Sequence, residues 1–202
     1  VREKVAASLE KRFGLPYRKE HIFMASGAAG ALAHAFRLVS QPGDEILTFA
    51  PFFPEYHPYV DLSGAVLKVV PPDTEAFQIN FDKMEEMMNE KVMAVLINTP
   101  NNPSGVVYST ETLKKLAEVL KRKSEEYGHT IYLISDEPYR EIVFSGVDAP
   151  CVSKFYPDTI MCYSFSKSLS LPGEGIGYVA VSPQCEDAET IIQLCGQLSS
   201  GI

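Results

Sequence analysis

Short apolar segments alternate with amphipathic stretches along almost the whole chain. The apolar segments predict β-strands at residues 21–25, 45–49, 65–70, 91–97, 130–134, 159–163 and 177–181. Between most of them, apolar residues recur at helical spacing, as Leu113, Leu116 and Leu120 do. The alternation predicts a three-layer α/β/α fold in which helices cover both faces of a mostly parallel sheet. The segment 177–181 follows its predecessor without room for a crossover helix, so we expect one antiparallel strand.

Composition excludes several classes of protein. The 202 residues carry a net charge of −8, and no basic stripe offers a site for nucleic acid. No apolar run approaches the roughly 20 residues that span a bilayer. The four histidines are scattered, so we predict no metal site. The four cysteines lack both CxxC spacing and the density of a disulfide scaffold, which predicts buried thiols in a reducing, cytoplasmic environment.

Five of the predicted strands are followed by segments whose residues could bind a ligand or take part in a reaction. In chain order these are a small-residue turn, an aromatic cluster, an Asn/Pro turn, an acid with a tyrosine, and a lysine among serines: Ser26–Gly30, Pro51–Tyr56, Asn98–Gly105, Ser135–Tyr139 and Ser164–Ser170. Each alone has a plainer explanation, namely a tight turn, core aromatics or a solvated lysine in a loop. Because ligands of open α/β sheets bind beyond the carboxyl ends of the strands, we expect the five segments to meet there.

One ligand would use all five segments. A strand, a small turn and a helix present backbone N–H groups to a phosphate. Lys167 is an amine that can attack a carbonyl, and the serines beside it can donate hydrogen bonds to an anion. Asp136 can keep a ring nitrogen protonated. A phosphate, a flat ring with a basic nitrogen and a reactive carbonyl occur together in pyridoxal 5′-phosphate, which the sequence therefore predicts as cofactor.

The chain resembles the large domain of the class I/II aminotransferases, the fold-type I pyridoxal-phosphate enzymes. The resemblance runs over nearly all 202 residues, and three motifs carry it: Asn-Asn-Pro-Ser-Gly at 101–105, Ser-Asp-Glu-Pro-Tyr at 135–139 and Ser-Phe-Ser-Lys at 164–167. It implies an enzyme that transfers an amino group from an amino acid to a 2-oxo acid. It also implies a homodimer.

The resemblance assigns roles to individual residues. Lys167 bonds covalently to the cofactor and moves the proton at the substrate Cα, and Asp136 pairs with the ring nitrogen. Asn102 and Tyr139 hydrogen-bond the ring hydroxyl oxygen, with a cis bond implied at Asn102–Pro103. The remaining cofactor contacts are the ring-stacking Phe53 and the phosphate-binding Gly27, Ala28, Ala29, Ser164 and Ser166.

The chain departs from the family pattern in two ways. The family has Pro-Gly-x-Arg-x-Gly after the lysine, with the arginine on the cofactor phosphate, whereas this sequence has Gly175 there. The loss of that charge-assisted contact should cost about 1.5–3 kcal/mol, roughly ten- to a hundredfold in cofactor affinity. In addition, the family's small domain and N-terminal arm are expected to lie outside residues 1–202, so the chain is interpreted as a large domain truncated at both ends.

Two other functions stay open at this stage. A lyase that cleaves at Cβ uses the same scaffold and begins with the same deprotonation at Cα. A non-catalytic cofactor-binding or interaction domain would retain the fold while Gly175 and the truncation abolish turnover.

Overall fold

The computed structural model describes residues 1–200. Seven strands form one sheet: β1 (Ile22–Ser26), β2 (Glu45–Phe49), β3 (Val66–Val70), β4 (Val92–Asn98), β5 (Tyr132–Asp136), β6 (Thr159–Ser164) and β7 (Ile176–Val181). Seven α-helices accompany them: α1 (Arg2–Phe13), α2 (Gly27–Val39), α3 (Tyr56–Asp61), α4 (Phe81–Met87), α5 (Thr110–Tyr127), α6 (Phe165–Ser168) and α7 (Ala188–Ser200). Three short 3-10 helices lie at Lys19–His21, Val152–Lys154 and Pro172–Glu174.

The strand order across the sheet is β1-β7-β6-β5-β4-β2-β3. Strands β2 to β6 pair in parallel, while β7 runs antiparallel to both of its neighbours, β1 and β6. The predicted fold class is therefore confirmed, including the single antiparallel strand. Since β7 begins where β6 ends, the start of β7 lies at the same edge of the sheet as the carboxyl ends of the parallel strands.

Helices cover both faces of the sheet. On one face, α2, α3 and α7 pack on alternate strand residues such as Ile46, Leu96 and Ile160. On the other face, α4 and α5 pack on β2, β4 and β5, and α1 packs on β6 and β7. Period-two burial along the strands, with period-3.6 burial along the helices, produces this three-layer core.

Local sequence signals predicted the ends of most helices and strands to within two residues of their observed positions. The predicted cap of α5 is confirmed, because Ser109 Oγ accepts a hydrogen bond from the Thr112 amide at 3.1 Å. Strand β5 was predicted at 130–134 but begins and ends two residues later. Its end extends because Ser135 and Asp136 pair with Ile97 and Asn98 of β4. Pairing with a neighbouring strand outweighs the low strand propensity of an aspartate.

All four cysteines are buried free thiols, as predicted: Cys151, Cys162, Cys185 and Cys195. Among residues 1–200, no helix is long and apolar enough to cross a membrane. Within the same residues, no group of three or more His, Cys, Asp or Glu side chains is arranged to hold a metal ion.

Candidate active site

A cavity of about 450 Å³ opens at the carboxyl edge of the sheet. All ten residues that the sequence nominated line it: Gly27, Ala28, Ala29, Phe53, Asn102, Asp136, Tyr139, Ser164, Ser166 and Lys167. They come from five separate chain segments, up to 140 residues apart in sequence. The predicted meeting of these segments at one edge of the sheet is therefore present in the structure.

Lys167 lies on α6, a single helical turn that directly follows β6. The sequence had suggested a loop at this position. Ser164 Oγ accepts a hydrogen bond from the Ser166 amide at 3.1 Å and so caps this turn. The helix fixes the backbone of Lys167 at the cavity, while the lysine side chain itself is exposed.

Asp136 is the most unusual group in the cavity. Its carboxylate is buried at the end of β5, and Oδ2 accepts a hydrogen bond of 2.6 Å from the Tyr56 hydroxyl. Among the side-chain polar atoms described in residues 1–200, Asp136 Oδ1 is the one that is buried without a hydrogen-bond partner. Burial raises the pKa of Asp136 to about 7, although the bond from Tyr56 opposes that rise. A buried unpaired carboxylate oxygen is costly unless a ligand supplies a donor.

Two asparagines connect the ends of β4 and β5. Asn98 donates from Nδ2 to the Asp136 carbonyl oxygen at 2.9 Å, and its Oδ1 accepts from the Asn102 amide at 2.6 Å. The side-chain amide of Asn102 in turn lies 3.5 Å from the Tyr139 hydroxyl, so two groups that can bind one oxygen atom stand side by side. The Asn102–Pro103 bond is cis, as the resemblance implied.

The turn between β1 and α2 forms one end of the cavity. Gly27 has a φ of +66°, a left-handed backbone conformation that glycine adopts without steric cost. No side chain caps the N-terminus of α2, so the N–H groups of its first turn remain as donors. The Ser164 hydroxyl donates to Ser166 Oγ at 2.7 Å, which leaves the Ser166 hydroxyl hydrogen as a further donor.

The aromatic segment after β2 supplies a wall and a buried hydroxyl. Phe53 lines the cavity and packs edge to face on Tyr56, with ring centroids 5.7 Å apart. Gly175 also lines the cavity, with a φ of +57°. A Cβ atom placed on Gly175 would lie 3.6 Å from Ser26 Oγ, so this position adjoins the turn that precedes α2.

Sequence reasoning missed two residues of this site. Tyr56 had been placed in the aromatic cluster without a role, and Asn98 had been counted only as the start of a turn. The signal for Tyr56 was a hydroxyl-bearing ring three residues after Phe53, among otherwise apolar aromatics. For Asn98, the signal was an amide at a strand end, where backbone groups need partners.

Solved aminotransferases share this fold. A crystal structure of an amino transferase from Eubacterium rectale superposes with a TM-score of 0.95 at 48% sequence identity, covering 98% of this chain and 50% of that chain. The aspartate aminotransferase of Thermotoga maritima superposes with a TM-score of 0.87 at 30% identity, covering 98% of this chain and 52% of that one.

The chain belongs to the family described as aminotransferase class I and II, whose sequence model matches residues 1–201. Among curated relatives, the aspartate aminotransferase of Thermotoga maritima is 33% identical over 196 residues, which is 96% of this chain and 50% of that protein. A probable aspartate/prephenate aminotransferase of Aquifex aeolicus is 33% identical over 207 residues, with 100% and 50% covered. The chain thus spans about half the length of these relatives.

Proposed function

We propose that residues 1–202 form the pyridoxal-phosphate-binding large domain of an aminotransferase, which transfers an amino group from an amino acid to a 2-oxo acid. One observation carries this proposal. Buried Asp136, whose Oδ1 has no partner, lines the same cavity as Lys167, and a carboxylate with an amine is the pair of groups that the cofactor requires. Family membership supports the same chemistry.

The residues present fit the cofactor at its ring and, less completely, at its phosphate. A protonated ring nitrogen would supply the donor that Asp136 Oδ1 lacks. Phe53 would pack on the ring, while Asn102 and Tyr139 would hold the ring hydroxyl oxygen. The amides of Ala28 and Ala29, beside Gly27, and the Ser166 hydroxyl would donate to the phosphate. Ser164 would add a second hydroxyl donor by turning its hydrogen from Ser166 Oγ to the phosphate.

The protein's own groups then have separate tasks. When bound, pyridoxal phosphate supplies a carbonyl that condenses with amines and a ring that withdraws electrons from the substrate Cα. Lys167 acts as the base that removes the proton from Cα and later returns a proton. Asp136 holds the proton on the ring nitrogen through Oδ1, and Tyr56 holds Asp136 through Oδ2.

Relatives support amino transfer over the β-lyase that shares its first steps. The related proteins named above are aminotransferases, and so is the probable N-acetyl-LL-diaminopimelate aminotransferase of Bacillus subtilis, which is 30% identical over 180 residues. These names cover different substrates, so a half-reaction with single amino acids is the assay that identifies the amino donor.

The test combines cofactor capture with a half-reaction. The chain is mixed with pyridoxal phosphate, reduced with borohydride, digested and mapped by mass spectrometry. We expect a visible absorption band and an adduct on Lys167. In a parallel sample that is neither reduced nor digested, adding single amino acids should convert the bound cofactor to its pyridoxamine form and release the matching 2-oxo acid without ammonia.

Two variants serve as controls for the capture experiment. Lys167→Ala should abolish the adduct, whereas Lys121→Ala, which removes an exposed lysine of α5, should leave it intact. An adduct spread over surface lysines, or none at all, would contradict cofactor binding. Release of ammonia together with the oxo acid would indicate the lyase, and capture without any half-reaction would indicate a non-catalytic cofactor-binding domain.

We also propose that the protein assembles as a homodimer in the cytoplasm. Phe144 and Ile142 are large apolar residues that are 91% and 54% exposed, which supports a protein interface at this loop. Four unpaired thiols support a reducing compartment. Sedimentation velocity of the chain measures the assembly state directly.

A further inference from the structure

One face of helix α6 packs against the side of the sheet that α1 covers, and is hydrogen-bonded to it. Phe165 and Ser168 are three residues apart and therefore share a helix face. The Phe165 ring packs edge to face on Tyr163, with centroids 5.2 Å apart, and lies 5.8 Å from the Tyr178 ring. Ser168 Oγ lies 2.6 Å from the Tyr163 hydroxyl oxygen. An aromatic contact and a hydrogen bond thus hold the two ends of a single turn.

Lys167 does not lie on the helix face that carries Phe165 and Ser168. At 3.6 residues per turn, Lys167 is rotated about 200° from Phe165 and about 100° from Ser168. It lines the cavity on the other side of the turn. A one-turn helix has little intrinsic stability. The contacts of Phe165 and Ser168 therefore set the rotation of the turn about its axis, and with it the direction in which the Lys167 side chain leaves the backbone.

A chain of hydrogen bonds holds the Tyr163 hydroxyl in place. Tyr163 donates to Glu141 Oε2 at 2.7 Å, so the 2.6 Å contact with Ser168 must use the serine hydroxyl as donor. Burial raises the pKa of Tyr163, and the neighbouring Glu141 adds to that rise, so the phenol retains its hydrogen.

Glu141 is itself held by two cations. Its Oε1 accepts from Arg140 Nη2 at 3.2 Å and from Arg12 Nη1 of α1 at 2.8 Å. The Arg140 guanidinium carbon lies 4.7 Å from the centroid of the Tyr163 ring, so the same arginine also confines the ring. The hydroxyl that accepts from Ser168 therefore belongs to a network in which Tyr163 and Arg140 are buried, while Glu141 and Arg12 lie at the surface.

We propose that Tyr163 is a positioning residue for Lys167: its hydroxyl, fixed by Glu141, anchors Ser168 and so orients the lysine amine toward the cavity from the opposite side of the sheet. The proposal rests on the proposed function, because it assigns Lys167 as the residue that bonds to the cofactor. Tyr163 does not line the cavity and acts on Lys167 through α6.

The experiment separates covalent capture from non-covalent binding. The full chain is mixed with pyridoxal phosphate, quenched with borohydride at timed intervals, and the Lys167 adduct is quantified by mass spectrometry. The dissociation constant of pyridoxamine phosphate is measured in parallel, because that compound has the same ring and phosphate but no carbonyl for the lysine. Tyr163→Phe and Ser168→Ala each remove one hydroxyl of the contact. Tyr178→Phe is the matched control, since its hydroxyl accepts from Arg140 and is not bonded to α6.

Tyr163→Phe and Ser168→Ala should each slow capture about three- to tenfold, the factor that corresponds to one net hydrogen bond. The double variant should be no slower than either single one, because both remove the same contact. Tyr178→Phe should match the wild type, and the affinity for pyridoxamine phosphate should stay within about twofold throughout.

Normal capture by Tyr163→Phe would overturn the proposal, and so would a loss of pyridoxamine phosphate affinity in proportion to the slower capture. Additive slowing in the double variant would also overturn it. A wild-type chain that forms no adduct on Lys167 would instead refute the proposed function, and this inference with it.

Discussion

The Tyr56 hydroxyl donates a 2.6 Å hydrogen bond to Asp136 Oδ2, across 80 positions of sequence and in a buried environment. The bond holds the carboxylate in one orientation and leaves Oδ1 as its unpaired atom. It also opposes the rise in the pKa of Asp136 that burial causes. A tyrosine of the aromatic segment after β2 thus lowers the pKa of a carboxylate at the end of β5, against the larger effect of burial.

We expect Tyr56→Phe to weaken cofactor binding. Without the donor, the pKa of Asp136 should rise further, so the ionised carboxylate becomes costlier to maintain. A hydrogen bond to a charged group contributes about 1.5–3 kcal/mol, which corresponds to roughly ten- to a hundredfold in the dissociation constant of pyridoxal phosphate. Tyr132→Phe is a matched control, because it removes a tyrosine–aspartate bond of 3.1 Å to Asp187 outside the cavity. Equal affinities of Tyr56→Phe and wild type would contradict the assigned role.

Asp136 should make the stability of the cofactor-free protein depend on pH. Its folded-state pKa of about 7 lies above the ordinary value of 3.8, so the folded state holds this proton more tightly than the unfolded state does. The resulting stabilisation is complete below about pH 4 and is lost as the pH rises through 7; the full difference is roughly 4 kcal/mol.

Urea denaturation of wild type and Asp136→Asn between pH 5 and 8 measures this contribution. The wild-type free energy of unfolding should fall relative to the asparagine variant as the pH increases. Glu137, whose pKa burial also raises, is present in both proteins, and its charge adds to the rise in the pKa of Asp136. A difference that stays constant over this range would show that Asp136 does not titrate there.

Gly175 allows the missing phosphate contact to be tested. Because its φ is +57°, any side chain at this position costs about 1–2 kcal/mol of backbone strain, so Gly175→Ala is the proper reference for Gly175→Arg. Relative to the alanine variant, the arginine variant should bind pyridoxal phosphate roughly ten- to a hundredfold more tightly. Pyridoxal, which has no phosphate, should show no such gain. An equal gain for both ligands would contradict a phosphate contact at this position.

Gly177 should tolerate no side chain, because β7 passes very close to two other segments there. A Cβ atom at Gly177 would lie 2.6 Å from the carbonyl carbon of Gly27 and also clash with the Tyr163 carbonyl oxygen. Gly177→Ala should lower the free energy of unfolding by roughly 3 kcal/mol or more in urea denaturation. Gly173→Ala, which meets no atom within 4 Å, should change it by less than about 0.5 kcal/mol. Similar stabilities of the two variants would exclude the steric role of Gly177.

Local sequence pattern was sufficient to predict most helices and strands, and the family resemblance supplied the ten cavity residues. The segment 45–49 was predicted with the bounds that β2 has, and the Asn-Asn-Pro-Ser-Gly and Ser-Phe-Ser-Lys motifs placed their residues at strand ends. The predicted secondary structure was wrong where contacts with a neighbouring strand or side chain determine the conformation. Asp136 was assigned to the segment after β5, yet it pairs with Asn98 inside the sheet, and Lys167 was assigned to a loop, yet it lies in a capped turn.

The sequence alone determined the α/β class, the antiparallel strand and the chemical types gathered at the cavity, because periodicity, turn residues and motifs are local properties of the chain. Only the tertiary structure decided the strand order, the bond between Tyr56 and Asp136, and the contact of Tyr163 with Ser168 behind the lysine. Whether a hydroxyl meets a carboxylate depends on which strands become neighbours and on which face each side chain emerges. That choice is made by the packing of the whole core, and no short segment encodes it.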